Sequence, residues 1–527
     1  MSKKINKNFK IAKIKAPIKV IFILLLLCMV SIFACSNEKS NSDSITIHSM
    51  HDLNNEKCTI GVGTGSHAQM IAEKELSKAK ILYFNSESLG YNAVREKQID
   101  AFVFDRVPMQ KALNEGLKGV ELIEDNLDEV TQVAIGLPKK PKIENEKDIV
   151  NHYLKELRDD GTLDEMYNRW VYEGNEEMPD IEEAENPTRE LIVGTTGIVP
   201  PFTFYKGDEL SGYDIELAKR LAKKYNAKLT FKVYDYEGII VALATNDVDL
   251  ISANLNITEE RMEAIDYSDV LYENYVTAMV VDDGHYLNIK ELFSNLKSGF
   301  QKTFIRENRY KLFIEGVLCT LKITSISIIQ GTILGFILFL ICYNSGVMVN
   351  KLINTIFWLL RRIPIVVLLM VFYYIIFSKI SKESELVAIN VFTIVFGSMV
   401  AELLINTIGN IDVGQTEAAH ALGFGKQNTF FKILLPQSLP IMFPTYKNMI
   451  VEHIRSTAIV GYIAVQDLTK VGDIVRSRTY DAFFPLVAVA IIYIILAELI
   501  ITCVVKLSSI HGEGKESKYL KGVKKHD

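Results

Sequence analysis

The sequence predicts an α/β domain in two parts followed by an all-α transmembrane region of about five helices. Three observations carry this. Between residues 52 and 281, short apolar runs alternate with segments of helical period, the pattern of strand and helix units. Beyond residue 314, apolar stretches long enough to cross a bilayer recur, such as the uncharged run 323–343. Over all 527 residues, 49% are hydrophobic and the mean hydropathy is +0.15, which favours a soluble domain joined to a membrane part over three soluble domains.

The net charge of −6 is unevenly distributed: seven lysines precede residue 20, residues 173–190 are acidic, and the chain is basic again from Lys506. No block combines basic and aromatic residues as nucleic-acid binding requires. The six cysteines are too few and too scattered for a disulfide framework, no metal-ligand spacing occurs, and no cofactor is expected. Residues 1–35 read as a signal sequence or membrane anchor, since the apolar run 20–33 suits a secretory core better than a spanning helix. Its end, Ile32-Phe33-Ala34-Cys35, looks like a lipobox with Cys35 as the lipidated residue; an uncleaved anchor is the other reading. Either way the lysines hold the N-terminus inside and the chain emerges on the outer face. Residues 36–48 form a polar tether.

In the soluble part the strands are CTIGVG, AKILYF and IDAFVFD, with helices at about 67–78 and 88–96 between them. The turn Gly63-Thr64-Gly65-Ser66 joins the first strand to the first helix; its amides either hold an anion or simply close a tight turn. Asp105 ends its strand, where a carboxylate faces any ligand cleft or caps the next helix. Two helices broken at Gly161 follow, then an acidic linker, 173–189. A second α/β unit then runs through LIVGTT, PFTFY, a helix at about 213–225, LTFKVYD, a helix from Glu237, VDLISA and a closing strand at 276–281.

These segments resemble the periplasmic binding proteins for polar amino acids. Gly212-Tyr213-Asp214-Ile215-Glu216-Leu217 with Leu221-Ala222 matches the family signature, and Thr258-Glu259-Glu260-Arg261 and Asp266-Tyr267-Ser268 match its next landmark. Gly63-Thr64-Gly65 and Ile99-Asp100-Ala101-Phe102 match the other lobe. The order differs: lobe 2 comes first (49–137), the C-terminal part of lobe 1 second (138–172), and the N-terminal part of lobe 1 last (190–283). This reads as a circular permutation, since linker 173–189 spans up to about 55 Å when extended. Two truncated modules completing each other between chains is the competing arrangement. The resemblance implies a cleft in which Arg261 takes a carboxylate, the Gly65 and Ser66 amides cover its other side with Thr64 in the same turn, and Asp105 takes an ammonium. It implies Tyr236 as an aromatic wall, or else a core tyrosine, and puts Thr196 and Asn256 at the ligand where the family has other residues. The side-chain preference of such a cleft is not legible.

An amphipathic connector, 284–313, ends in the cationic QKTFIRENRYK, read as a surface helix. The transmembrane domain, 314–508, has expected spans at 323–343, 363–378, 386–404, 439–465 and 483–505, the fourth interrupted by Lys447, Glu452, His453 and Arg455. A basic cytoplasmic tail, 509–527, closes the chain. Glu402 in the third span is a site or a snorkelling end residue. Between the third and fourth spans lies QTEAAHALGFGKQNTFFKILLPQSLP, residues 415–440. Glu417-Ala418-Ala419 with Gly423 four residues on, then Ile433, Leu435 and Pro436, resembles the EAA loop of ABC importer permeases, which docks into an ATPase subunit. No GxxxxGK[ST] sequence is present, so the ATPase is expected to be a separate subunit and the chain itself not an enzyme. The combined resemblance implies a polar amino acid importer with binding domain and permease fused. It sits in the plasma membrane with the binding domain outside and the EAA loop and C-terminus in the cytoplasm, and homodimerises through the permease. A ligand-gated receptor or channel is the alternative, and an enzyme on the same scaffold lacks an acid/base pair beyond Asp105.

Overall fold

The computed structural model of the chain describes residues 47–127, 129–282, 298–377, 383–481 and 483–523, with side chains described to residue 506 except Glu237. The leader 1–35 with Cys35, nearly all of the 36–48 tether, residues 284–297 of the connector and the side chains of the 509–527 tail lie outside the described residues.

The first unit contains β1 (Thr59–Gly63), α1 (His67–Glu75), β2 (Lys80–Phe84), α2 (Glu87–Arg95), β3 (Ala101–Asp105), α3 (Arg106–Asn114), β4 (Val120–Leu122), β5 (Val130–Val133), β6 (Gly136–Pro138), α4 (Glu146–Asp159) and α5 (Thr162–Tyr167). After the linker come β7 (Arg189–Thr195), β8 (Ile198–Val199), β9 (Thr203–Lys206), β10 (Glu209–Ser211), α6 (Tyr213–Lys224), β11 (Ala227–Val233), α7 (Tyr236–Ala244), β12 (Leu250–Ile251), α8 (Glu259–Ala264), β13 (Ile265–Tyr267) and β14 (Tyr272–Val281). Two larger sheets result. The lobe 2 sheet runs β2-β1-β3-β14-β4 with β5 paired to β14, and the lobe 1 sheet runs β11-β7-β12-β6-β13. Strand β3, AFVFD, is buried at every residue because it lies between β1 and β14, and helices cover both faces of such a central strand.

Two strands sit in the opposite lobe from the one their sequence position suggested. Strand β14 falls within 190–283 yet joins the lobe 2 sheet, and most of β6 falls within 49–137 yet lies between β12 and β13 in lobe 1. An apolar run such as VTAMVV specifies which face is buried, not which neighbour it pairs with. The chain therefore crosses between lobes twice, and the crossings are tied by antiparallel pairing of Val133 with Tyr272 and Thr131 with Asn274.

Early and late segments of this one chain complete a single core. Trp170 is fully buried, and its Nε1 donates to Glu216 on α6 at 2.7 Å. Glu216 is itself fully buried and accepts from Arg169 at 2.9 Å and from Arg220 at 2.7 Å. The linker is not wholly solvated as its composition suggested: Glu176 pairs with Lys111 at 3.1 Å and also with Arg478 of the membrane part.

The C-terminal part is helical: α9 (Tyr310–Asn344), α10 (Val347–Arg362), α11 (Ile365–Val371) continued by a π-turn Phe372–Ile376, α12 (Ser384–Gly409), α13 (Val413–Ala421), α14 (Leu435–Ser456), α15 (Leu468–Thr479) and α16 (Phe483–Val523). Among the described residues, α9, α12 and Phe483–Lys506 are long and apolar enough to cross a membrane, and the pair Val347–Arg362 and Ile365–Ile376, bent by 108°, makes up to four. Five were expected. The expected span 439–465 is α14 plus a 3-10 stretch Thr457–Ile463, and the charges in α14 keep it below the apolar level of the others. The cations before α9 do not all face a surface: Arg309 is 3% exposed and pairs with Glu307 at 2.9 Å. Glu402 pairs with Arg361 at 2.6 Å, so its charge is matched at the membrane edge.

Helices α9 and α12 approach closely through small residues. A Cβ added at Gly335 would lie 2.6 Å from the Gly397 carbonyl oxygen, a backbone atom that no rotamer change relieves. His453 of α14 joins the same packing by a 2.7 Å hydrogen bond to Ser327. Gly335→Ile is expected to cost more than the about 1–3 kcal/mol typical of overpacking, read as loss of monodisperse protein in detergent. Glu216→Ala is expected to destabilise lobe 1 by about 3–5 kcal/mol, because two guanidinium groups lose a buried partner, read by thermal unfolding.

Candidate functional site

The cleft between the sheets is built at the C-terminal ends of the strands. Asp105 ends β3 and is 2% exposed. It precedes α3 but makes no side-chain cap bond, so its carboxylate is directed at the other lobe. There Asn254 Nδ2 donates to Asp105 Oδ2 at 2.8 Å, while Asp105 Oδ1 has no partner among the described residues. Burial pushes the Asp105 carboxyl up to about 6, against the pull of Asn254, Asn256 and Arg261. Asn254 is held in turn by Tyr272, whose hydroxyl donates to Asn254 Oδ1 at 3.0 Å, and by Asp214, which accepts from the Asn254 backbone amide.

Arg261, on α8 in lobe 1, is 7% exposed. Thr258 caps this helix from the side chain, which fixes the direction in which Arg261 leaves it. One guanidinium nitrogen donates to the Asn256 carbonyl at 3.0 Å and another crosses to the Gly65 carbonyl of lobe 2 at 2.7 Å. The amides of the 63–66 turn are taken up by neighbouring groups of lobe 2 itself, contrary to the expectation that Gly65 and Ser66 would offer them to a carboxylate. Thr64 N donates to Phe84 O, Gly65 N to Gln69 Oε1 and Ser66 N to Gly63 O, while the Ser66 hydroxyl caps α1. The turn therefore presents an acceptor to Arg261. Thr196 is fully buried, Tyr236 at the start of α7 is partly buried, and the Thr196 hydroxyl and the Asn256 side-chain oxygen have no hydrogen-bond partner among the described residues. Arg261 and Asp105, expected on opposite lobes, do lie on opposite lobes.

The sequence reading missed Glu87. It starts α2 at the same sheet edge, is 5% exposed, and has an oxygen, Oε2, without a partner among the described residues. An acid a few residues past the end of the parallel strand β2 was the available signal. The reading also missed the contact with the membrane helices, for which no local signal exists. Helix α15 touches both lobes. Lys470, 3% exposed, pairs with Asp235 at the start of α7 in lobe 1. Arg478 at the other end pairs with Glu115 of lobe 2 at 3.1 Å, with Glu307 at 3.2 Å and with Glu176. The Tyr373 hydroxyl of the π-turn donates to Asp247 of lobe 1 at 2.7 Å.

At the far end, α13 carries the EAA-like sequence. Glu417 and Ala418 are exposed, and Ala419 is buried, so the three residues do not share one open face. Gly423 has φ +83°, the left-handed end that only glycine adopts without strain, with nothing within 4 Å of a Cβ there.

The model of bacterial extracellular solute-binding proteins, family 3, matches residues 191–442. The putative glutamine transport system permease protein of Rickettsia typhi is 34% identical over 191 residues, 36% of this chain and 87% of that protein. The L-cystine transport system permease protein of Bacillus subtilis is 28% identical over 188 residues, 34% of this chain and 79% of that protein. The arginine-binding extracellular protein of Bacillus subtilis is 36% identical over 102 residues, 19% of this chain and 40% of that protein. A crystal structure of an amino acid ABC transporter with histidines aligns at 23% identity and a TM-score of 0.35, covering 43% of this chain and all of that one. Bilayer-length helices, an α/β solute-binding domain and a transport permease 34% identical over most of its length together define the protein: the chain belongs to the amino-acid ABC transporter permeases and carries its solute-binding domain in the same polypeptide.

Proposed function

We propose that this chain is the substrate-binding and permease subunit of an ABC importer for polar amino acids. The observation that carries the reading is that a single permease helix, α15, holds charged contacts to both lobes, through Lys470 to Asp235 and through Arg478 to Glu115. Lobe closure and the state of the membrane helices are then one equilibrium. Relatives named for glutamine, cystine and arginine support an amino acid as ligand.

In the cleft, Arg261 binds the α-carboxylate through the nitrogens that now meet Gly65 and Asn256, and Asp105 binds the α-ammonium through its unpartnered oxygen. Tyr236, Thr196 and Asn256 line the ligand, with the Thr64 to Ser66 turn closing from lobe 2. Because the two ionic contacts belong to different lobes, the ligand strengthens closure. The sheets are the natural limits of the lobes, with residues 134–135 and 268–271 as the crossings between them. Closure displaces α15, the 457–467 segment transmits this to α14, and α14 moves the loop of Glu417, Ala418, Ala419 and Gly423. A separate cytoplasmic ATPase engages that loop and supplies the energy. Two copies of the chain form the pathway, with the binding domain outside and the loop inside; α14 serves as the fifth span. Cys35 anchors the outer leader by lipidation. A ligand-gated channel would have no use for such a loop.

Arg261→Ala is expected to weaken amino acid binding by at least about 100-fold by calorimetry on the full chain in detergent, as loss of a buried bidentate charge pair requires. Wild-type affinity for that Arg261→Ala variant would overturn the site. Only the ionised Asp105 holds an ammonium, so affinity is expected to be flat above the raised carboxyl pKa of about 6 and to fall by about tenfold per pH unit below it. Arg478→Gln is expected to leave amino acid affinity within about threefold but to reduce ligand-stimulated ATP turnover by at least about tenfold in vesicles holding both subunits.

A further inference from the structure

The bilayer is a poor cover for one face of helix α14. Two hydrogen bonds to α9 fix the depth of this helix. His453 bonds to Ser327 at 2.7 Å and Tyr446 to Thr332 at 2.8 Å, so residues 446–453 run beside 327–332, within the uncharged run 323–343. One side of α14 is packed: Met449, Ile450 and Ile454 join Ile328 of α9 and Phe396 of α12 in a shared core, and the His453 ring lies against Phe396. The other side carries Asn448, Glu452 and Arg455, spaced by four and three residues and all exposed.

Glu452 and Arg455 have opposite charges, and neither side chain has a hydrogen bond or ion pair among the described residues. At 1.5 Å per residue, Glu452 lies roughly 7 Å inside the end of the uncharged run at Ile323. Arg455 is closer to that end and long enough to reach a headgroup layer, whereas the shorter carboxylate is not. Neighbouring helices elsewhere match such charges within the chain, Arg361 with Glu402 and Lys322 with Glu385. An acid and a base side by side on one face are self-complementary. Two copies related by a two-fold axis meet through the same face, so position 452 of each comes opposite position 455 of the other and both charges are paired away from lipid.

We propose that this face of α14 is the contact between two copies of the chain, in which Glu452 of each copy pairs with Arg455 of the other and Asn448 lies beside them toward the middle of the membrane. This rests on the reading above that two copies form the pathway.

The test co-expresses two full-length copies carrying different affinity tags and measures recovery of one through the other after extraction in detergent. Wild-type copies are expected to recover each other. Glu452→Arg and Arg455→Glu each set like charges face to face, and each is expected to lower recovery of its own second copy by at least about tenfold. Glu452→Arg expressed together with Arg455→Glu is expected to restore recovery to within about threefold of wild type. Opposite charges then meet between copies while positions 452 and 455 within each chain stay mismatched, so a pairing confined to one helix gives no such rescue. Wild-type recovery by either reversal alone, or no rescue in the mixture of monodisperse reversals, overturns the proposal and leaves the two-copy reading standing. Transport lost with association unchanged assigns the face to a water-filled path and likewise overturns it. If wild-type copies do not recover each other, both readings fall. Where a reversal fails to fold, Glu452→Gln decides: it leaves Arg455 of the other copy unmatched, recovery is expected to fall by at least about tenfold, and wild-type recovery overturns the proposal.

Discussion

The pairing of β6 with β12 and β13 is the constraint on which the two-lobed half of the molecule depends. It brings residues made before the linker into a sheet whose other strands come after it. Without β6, the lobe 1 sheet would lack the strand joining β12 to β13, and the core covered by α4, α5 and Trp170 would lose Leu137. The buried Glu216 cluster then fixes the register of that cover, because a carboxylate without solvent must meet its donors in one geometry. Closing the cleft presupposes this assembly, since Arg261 and Asn254 hang from the completed lobe 1.

Much of this was readable beforehand. The runs CTIGVG, AKILYF and IDAFVFD became β1, β2 and β3, and the break at Gly161, with φ +80°, separates α4 from α5. These succeed because period and glycine conformation are local properties. The lobe to which β14 belongs was not readable, because its alternation is satisfied equally on either sheet. The turn at Gly65 was located, but the direction of its amides depends on Gln69 folding back from α1, a side-chain choice made after the fold. Arg478 illustrates the extreme: its partners Glu115, Glu176 and Glu307 come from three distant segments, and nothing near residue 478 announces them.

The contact between lobes and membrane helices joins sheltered ion pairs to a shared apolar core, in which Leu468, Val471, Ile474 and Val475 of α15 belong to the same cluster as Phe202 and Phe204 of lobe 1. Burying Arg478 and Lys470 carries a desolvation cost that their carboxylate partners largely offset, so such pairs contribute little net stability. What they contribute is discrimination between arrangements. A lobe displaced by a few ångströms leaves a charge stranded away from water, which is expensive, while the matched position is nearly neutral in energy. The ion pairs thus select the matched position, while the shared apolar core supplies the adhesion.

The connector to α9 keeps the binding lobes and the membrane helices on one polypeptide. Docking is therefore an intramolecular event governed by effective concentration, in the millimolar range for short tethers, and not by how many free receptors the cell secretes. In the importer proposed above, competition among receptors for a shared pore would disappear, and the flux through each pore would follow the occupancy of its own cleft. Such an arrangement would exchange the scavenging capacity of a large soluble receptor pool for a response that tracks solute without delay from diffusion.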